Sequence, residues 1–266
     1  MTEIPTPAKI IVSSVSKRFG ALPGADGLAL DRISFEVASG EFFVLVGPSG
    51  CGKSTLLDLL TGLDQPTQGV ISLDGKRITG PGLDRGVAFQ QYALLPWRTA
   101  QANVELGLEA KGLSRAQRKQ TARHYLDLVG LADFANRYPA QLSGGMRQRV
   151  AIARSLAFDP EVLLMDEPFG ALDAQTREGL QDQLLQIQRS TGKTVVFITH
   201  DIEEAVYLGD RVAVLAPRPG RIKRIFQIEL PGRRTGEEDV RSSAVFGRYR
   251  HEIWSELRER AEARVA

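Results

Sequence analysis

The sequence predicts an α/β protein with a parallel core sheet. Two observations predict it: short apolar, β-rich runs alternate along the chain with stretches of helical periodicity, and a glycine-rich turn joins one such run directly to a helix. Parallel strands linked by crossover helices leave this alternation because such a sheet is covered on both faces.

Taken in order, residues 10–19 and 30–37 alternate as half-buried strands, and 69–73, followed by Asp74-Gly75, form a strand entering a tight turn. Together they predict a small antiparallel lobe. Residues 41–46 form a buried strand, and beyond the glycine-rich turn 53–60 carry Leu56, Leu57, Leu59 and Leu60 on a buried helix. From about 100 to 157 the pattern becomes helical, with Ala122, Tyr125, Leu126 and Val129 at i, i+3, i+4 and i+7. Runs at 162–165, 194–199 and 211–215 complete the parallel sheet, and 174–189 between the first two place Leu180, Leu184 and Ile187 at helical spacing. A linker at 231–236 leads to a charged, helix-prone tail from about 241, where Ile253 and Leu257 stand four apart.

Composition narrows the function. At 266 residues the chain can bury a substantial core, and 42% hydrophobic with 25% charged residues is globular rather than disordered. Lys+Arg 34 against Asp+Glu 32 is nearly balanced, which gives no reason to expect a nucleic-acid partner. A single cysteine, Cys51, excludes an internal disulfide framework and fits a reducing compartment. Pro5 and Pro7 interrupt an N-terminus that lacks the apolar core of a secretory signal. Apolar runs such as 42–46 and 195–198 fall far short of the roughly 20 residues that cross a bilayer, so any membrane role requires a partner.

Gly47-Pro48-Ser49-Gly50-Cys51-Gly52-Lys53-Ser54 has the G-x-x-x-x-G-K-[ST] spacing of a phosphate loop, between a strand and a helix. Glycines let several backbone N–H groups turn inward, and the helix N-terminus adds positive potential where phosphate oxygens would sit. Lys53 is then expected to reach the β and γ phosphates and Ser54 to offer its hydroxyl to Mg²⁺. The nucleotide-binding set runs on to Thr55. Further on, Val162-Leu163-Leu164-Met165 ends in the adjacent carboxylates Asp166 and Glu167. Asp166 is expected to organise Mg²⁺ and its waters, and Glu167 to orient or deprotonate the attacking water.

These two motifs define a P-loop NTPase without saying which kind. Gln141-Leu142-Ser143-Gly144-Gly145-Met146-Arg147-Gln148-Arg149 resembles the LSGGQ-type signature of the ABC ATPase family, with Met146 in place of the commoner glutamine. Met146, Val150, Ala153 and Ala157 have helical spacing, which puts Ser143, Gly144 and Gly145 at a helix N-terminus suited to phosphate. In family order, Phe19 resembles the adenine-stacking aromatic and Gln90 the Q-loop glutamine, a metal and catalytic position. Ala171-Leu172-Asp173 resembles the D-loop, and His200 the switch histidine.

This resemblance covers about 10–228, and it implies an ABC ATPase domain over 8–230 with a helical subdomain near 100–157, followed by a linker and C-terminal helix over 231–266. It further implies ATP and Mg²⁺ as cofactors and a head-to-tail homodimer. The partners it implies are transmembrane permease subunits and, indirectly, a periplasmic or extracellular solute-binding protein. The chain would sit peripherally on the cytoplasmic face of the inner membrane. Longer segments, among them Ala93-Leu94-Leu95-Pro96-Trp97-Arg98 and Pro217-Arg218-Pro219-Gly220-Arg221, resemble the taurine, sulfonate and nitrate importer branch, with taurine import nearest.

Two other classes fit less well. A soluble ABC ATPase acting on DNA or ribosomes would be expected to carry a long heptad insertion between Gln90 and Ser143, and a P-loop kinase or GTPase has no use for the signature segment. Phe19 is alternatively a core aromatic, and Arg218, Arg221, Lys223 and Arg224 read as a solvated basic turn.

Overall fold

The structure, a computed structural model, describes residues 8–20, 27–170, 172–233 and 239–258. Its elements run β1 (Ala8–Arg18), β2 (Leu28–Ala38), β3 (Phe42–Val46), α1 (Lys53–Thr61), β4 (Gln68–Leu73), β5 (Lys76–Arg77), β6 (Arg85–Ala88), α2 (Ala100–Ala110) and α3 (Arg115–Leu128). They continue with α4 (Gly144–Ala157), β7 (Val162–Asp166), α5 (Ala174–Thr191), β8 (Thr194–Thr199), α6 (Ile202–Leu208), β9 (Arg211–Ala216), β10 (Arg221–Gln227) and α7 (Ala244–Arg258). The chain forms two compact units, the first from Met1–Pro81 with Thr194–Ala266 and the second Gly82–Lys193.

In the first unit the strands run in the order β10-β9-β3-β8. β3 is parallel to both neighbours, with Leu45 beside Ile198 on one side and Ala213 on the other. Every residue of β3 is buried, which is why its sequence is continuously apolar instead of alternating. The antiparallel sheet, ordered β2-β1-β4-β5, does alternate: Leu30, Ile33, Phe35 and Val37 of β2 face inward. Phe35 stacks on Phe43 of β3 at 4.9 Å, fastening that sheet beside the strand that feeds the phosphate loop. Helix α7 packs on α6 and β9, with Ile253 fully buried and Leu257 half-buried.

The basic stretch departs from the solvated turn that its sequence suggests. Arg221, Lys223 and Arg224 do not lie in a solvated turn; they sit on β10, antiparallel to β9, with Arg221 paired to Asp31 and Arg224 to Glu256. A charged strand on the rim of a sheet hides its β-character from a hydrophobicity pattern while protecting the edge.

The second unit pairs β6 with β7 in parallel and packs α2, α3 and α4 on one another, with α5 against α4. Helix α3 opens on a capping box between Ser114 and Gln117. Fully buried Asn103 on α2 fastens the segment before it: its amide donates to the carbonyls of Leu95, Arg98 and Thr99 at 3.0–3.1 Å and its oxygen accepts from Leu95 N–H at 2.7 Å. A buried amide with all its partners holds an irregular segment without a desolvation penalty.

Buried Glu41, just before β3, gives a pH signature. Burial pushes its carboxyl above the usual value of 4.5, against the opposing pull of the Ala38 N–H and of Arg211. The folded state therefore holds this proton to higher pH than the unfolded chain, and the group's effect on stability becomes less favourable as pH rises from about 4.5. Glu41→Gln removes that slope. In urea unfolding between pH 4 and 7, the stability of the variant relative to wild type should climb with pH; a constant difference would exclude the effect.

Candidate functional site

In the first unit, β3 ends at Val46 and α1 begins at Lys53. The turn between them depends on two left-handed glycines, Gly50 at φ 76 and Gly52 at φ 93. Gly52 caps α1 without any side-chain hydrogen bond. A Cβ on Gly52 would come 2.6 Å from Leu30 Cδ2, and one on Gly47 2.7 Å from Cys51 Sγ. The loop is thus wound tightly against its own fold. Lys53, only 6% exposed, donates to the carbonyls of Gly47 at 2.9 Å and Pro48 at 3.2 Å. An ammonium at the centre of the turn and a glycine-capped helix N-terminus are a donor set that fits phosphate.

The side chains around the loop are graded. Pro48, Ser49 and Ser54 are exposed, Thr55 is half-buried, and Cys51 is fully buried, so what Cys51 can offer a ligand is its backbone. Arg218, exposed on the turn between β9 and β10, donates to the Gly50 carbonyl at 3.4 Å. Charge alone could not reveal this contact, because residues 50 and 218 meet only through the β3–β9 pairing.

Phe19 directly follows β1 at 49% exposure with the Lys17 ammonium 5.2 Å from its ring, which removes the core alternative. His200 is exposed directly after β8, and Asp201 caps α6 by accepting from the N–H groups of Glu203 and Glu204. His251, which the sequence leaves without context, lines the same cleft of about 660 Å³ as His200, together with Trp254.

The second unit gathers the other residues. Asp166 closes β7 and Glu167 follows it, both half-buried, with Glu167 in the left-handed region at φ 42. Left-handed backbone at a non-glycine residue costs energy and persists where the surroundings over-determine it. The turn closes through Gly170 N–H donating to the Glu167 carbonyl at 3.2 Å. Exposed Gln90 reaches this turn, its Nε2 lying 3.4 Å from where a Gly170 Cβ would stand. Ser143 is the N-cap of α4, its Oγ accepting from Met146 N–H at 3.2 Å. Gly145 is buried against Thr176 of α5, whose Cγ2 would lie 2.6 Å from a Cβ there, whereas Ser143 is exposed. Asp173 caps α5 through Thr176, and the same hydrogen bonds hold its carboxyl below the usual range. Ala171 lies outside the described residues.

The family model for ABC transporters matches residues 30–170, more than half of the chain. The chain belongs to the ABC transporter family. It is similar to the nitrate import ATP-binding protein of Synechocystis, 52% identical over 88% of this chain and 89% of that protein. It is also similar to the taurine import ATP-binding protein of Rhizobium johnstonii, 47% identical over 96% of this chain and 98% of that one. Among solved structures, a dimeric ATP-binding cassette in a post-hydrolysis state bound to ADP and Pi matches at TM-score 0.73 and 36% identity, covering 83% of this chain and 99% of that one. The expected α/β cassette fold is therefore present, and this member of the family is an ATP-binding ATPase. Among the described residues no helix is long and apolar enough to cross a membrane.

Ser143 caps α4, and the phosphate contact expected of it is separable from that cap by mutation. Ser143→Asp keeps a side chain that caps well but sets a carboxylate at the helix N-terminus. Its thermal midpoint should stay near wild type while ATP turnover falls at least about ten-fold, whereas Ser143→Ala should lose about 1 kcal/mol of stability. Wild-type turnover in Ser143→Asp would leave Ser143 as a cap alone.

Proposed function

We propose that this chain is the ATP-hydrolysing subunit of an importer and that it drives uptake of taurine or a related aliphatic sulfonate. The observation that carries the motor role is the loop closed around Lys53, with its glycine-capped helix N-terminus, in a family of ATP-binding cassettes. The importer role is supported by the import ATP-binding proteins it resembles along almost its whole length.

In this reading residues 8–230 form the cassette, with the helical subdomain near 100–157, and 231–266 form a linker and C-terminal helix. The backbone of 47–52 and the side chains of Lys53, Ser54 and Thr55 bind the triphosphate, and Phe19 stacks on adenine. Ser54, Gln90 and Asp166 would hold Mg²⁺, which when bound neutralises developing charge on the phosphates. Among the described residues no group of three or more His, Cys, Asp or Glu gathers to ligate a metal, and an ion that keeps waters and phosphate oxygens as ligands needs no such cage.

Glu167 orients the attacking water and takes its proton; His200 holds the γ-phosphate end. Ser143, Gly144 and Gly145 complete the site of a second copy, so that two heads close over two ATP molecules, consistent with the dimeric cassette among its relatives. Closure excludes water from around the phosphates, and opening after hydrolysis returns the heads to their starting state. Permease subunits in the inner membrane receive that motion near Gln90, and a solute-binding protein delivers the cargo outside.

Glu167→Gln should bind ATP like wild type yet lose about 10²- to 10³-fold in turnover, the range of a general base. Single-turnover hydrolysis beside nucleotide titration separates the two quantities; full turnover would exclude the role. Mixing Ser143→Arg with Lys53→Ala should restore some hydrolysis in the mixed dimer, and two inactive chains that stay inactive in a proven heterodimer would place the site within one chain.

A second reading, nitrate import, is supported by the Synechocystis relative. Deleting the gene and supplying taurine, another alkanesulfonate or nitrate as the limiting sulfur or nitrogen source decides between them. In a host without another uptake route, sulfonate growth should fail; normal sulfonate growth with failure on nitrate transfers the assignment to nitrate.

A further inference from the structure

The segment after Gln90 is held in an unusual way. Tyr92 and Ala93 both occupy the left-handed region, at φ 32 and 48, although neither is glycine. Each such residue carries a backbone cost, and two in succession need outside support. That support comes from α4. Arg154 donates from Nη2 to the Tyr92 carbonyl at 2.9 Å and from Nη1 to the Ala93 carbonyl. One turn of helix is not the whole contact, because Arg147, two turns nearer the N-terminus, lies with its guanidinium 5.4 Å from the Tyr92 ring. The Tyr92 hydroxyl in turn sits 3.3 Å from the position of a Gly144 Cβ, beside the Ser143 cap.

Burial sharpens the point. The Arg154 guanidinium is largely out of water, which pulls its pKa below the ordinary arginine value, and among the described residues no carboxylate pairs with it. A buried cation of this kind is tolerated when carbonyl dipoles replace its hydration, and here the two carbonyls come from the left-handed residues. The arginine and the strained segment therefore stabilise each other.

We propose that Arg154 is a positioning residue that ties the Gln90 loop to the Ser143-capped helix, so that these two elements of the ATP site hold one fixed relation within the second unit. The proposal rests on the reading of Gln90 and Ser143 as ATP-site residues. It requires the tie to matter for turnover more than for nucleotide affinity, since the phosphate loop that carries affinity belongs to other residues.

The test uses the full chain with Arg154→Gln, Arg154→Lys, Ala93→Gly and the Arg154→Gln/Ala93→Gly double variant. In Arg154→Gln, amide hydrogen exchange across 91–95 should rise about ten-fold and kcat fall about ten-fold or more, with ATP affinity within about two-fold of wild type. Lysine, which keeps the charge and fewer donors, should fall between. Glycine at 93 adopts the left-handed conformation without help, so the double variant should recover part of the lost kcat. If Arg154→Gln does not fold, Arg154→Lys with and without Ala93→Gly supplies the same comparison.

Unchanged exchange at 91–95 overturns the tie. Changed exchange with wild-type kcat, or no recovery from Ala93→Gly, overturns the positioning role. Gln90→Ala is the separate control: full turnover in that variant removes the role given to Gln90, while the exchange measurement still decides whether the tie exists.

Discussion

Much of the first unit follows from one constraint, that the backbone between β3 and α1 must close into a tight turn whose N–H groups converge with no side chain in the way. Such convergence requires left-handed backbone, which Gly50 and Gly52 supply, and close packing on the outer side of the loop, which Leu30, Cys51 and Leu215 supply. A loop of this shape is held only if the strand before it cannot shift. β3 meets that need by lying between two parallel neighbours with every side chain buried, and the Phe35–Phe43 stack adds the antiparallel sheet beside it. Lys53 then closes the loop on itself through the Gly47 and Pro48 carbonyls, holding a cation in a site otherwise made of backbone.

The second unit meets a different problem with the same economy. Irregular backbone leading into α2 and left-handed backbone at Tyr92, Ala93 and Glu167 cannot be held by regular hydrogen-bond ladders. Side chains with several donors do it instead. Asn103 satisfies the carbonyls of residues 95, 98 and 99, and Arg154 those of 92 and 93. Both project from helices that bury apolar side chains, among them Val104 and Leu108 on α2 and Val150, Ala153 and Leu156 on α4. Packing sets the helices, and each polar anchor then sets the loop that carries function.

Helix N-termini recur with different endings. Asp173 and Asp201 cap α5 and α6 with their own side chains, and Ser143 caps α4 with a small hydroxyl that leaves the end exposed. At α1 the cap is a glycine with no side chain to offer. The glycine cap of α1 and the exposed serine cap of α4 are the ends that carry the phosphate-loop and signature sequences.

What the sequence by itself determined was local and contiguous. A strand, a glycine turn and a helix adjoin along the chain, so the phosphate loop was legible from 41–60, and the acidic end of β7 was legible because its strand is uniformly apolar. The residues of the signature segment were readable for the same reason. Tertiary structure alone decided the rest. It set β3 between β8 and β9, exposed Phe19, converted a basic stretch into the edge strand β10, and brought Arg218 to Gly50 and Arg154 to the carbonyls after Gln90. The β3 pairings and the contacts of Arg218 and Arg154 join residues tens to more than a hundred positions apart, and a hydrophobicity pattern records which face a residue turns inward, not which distant neighbour it will meet there.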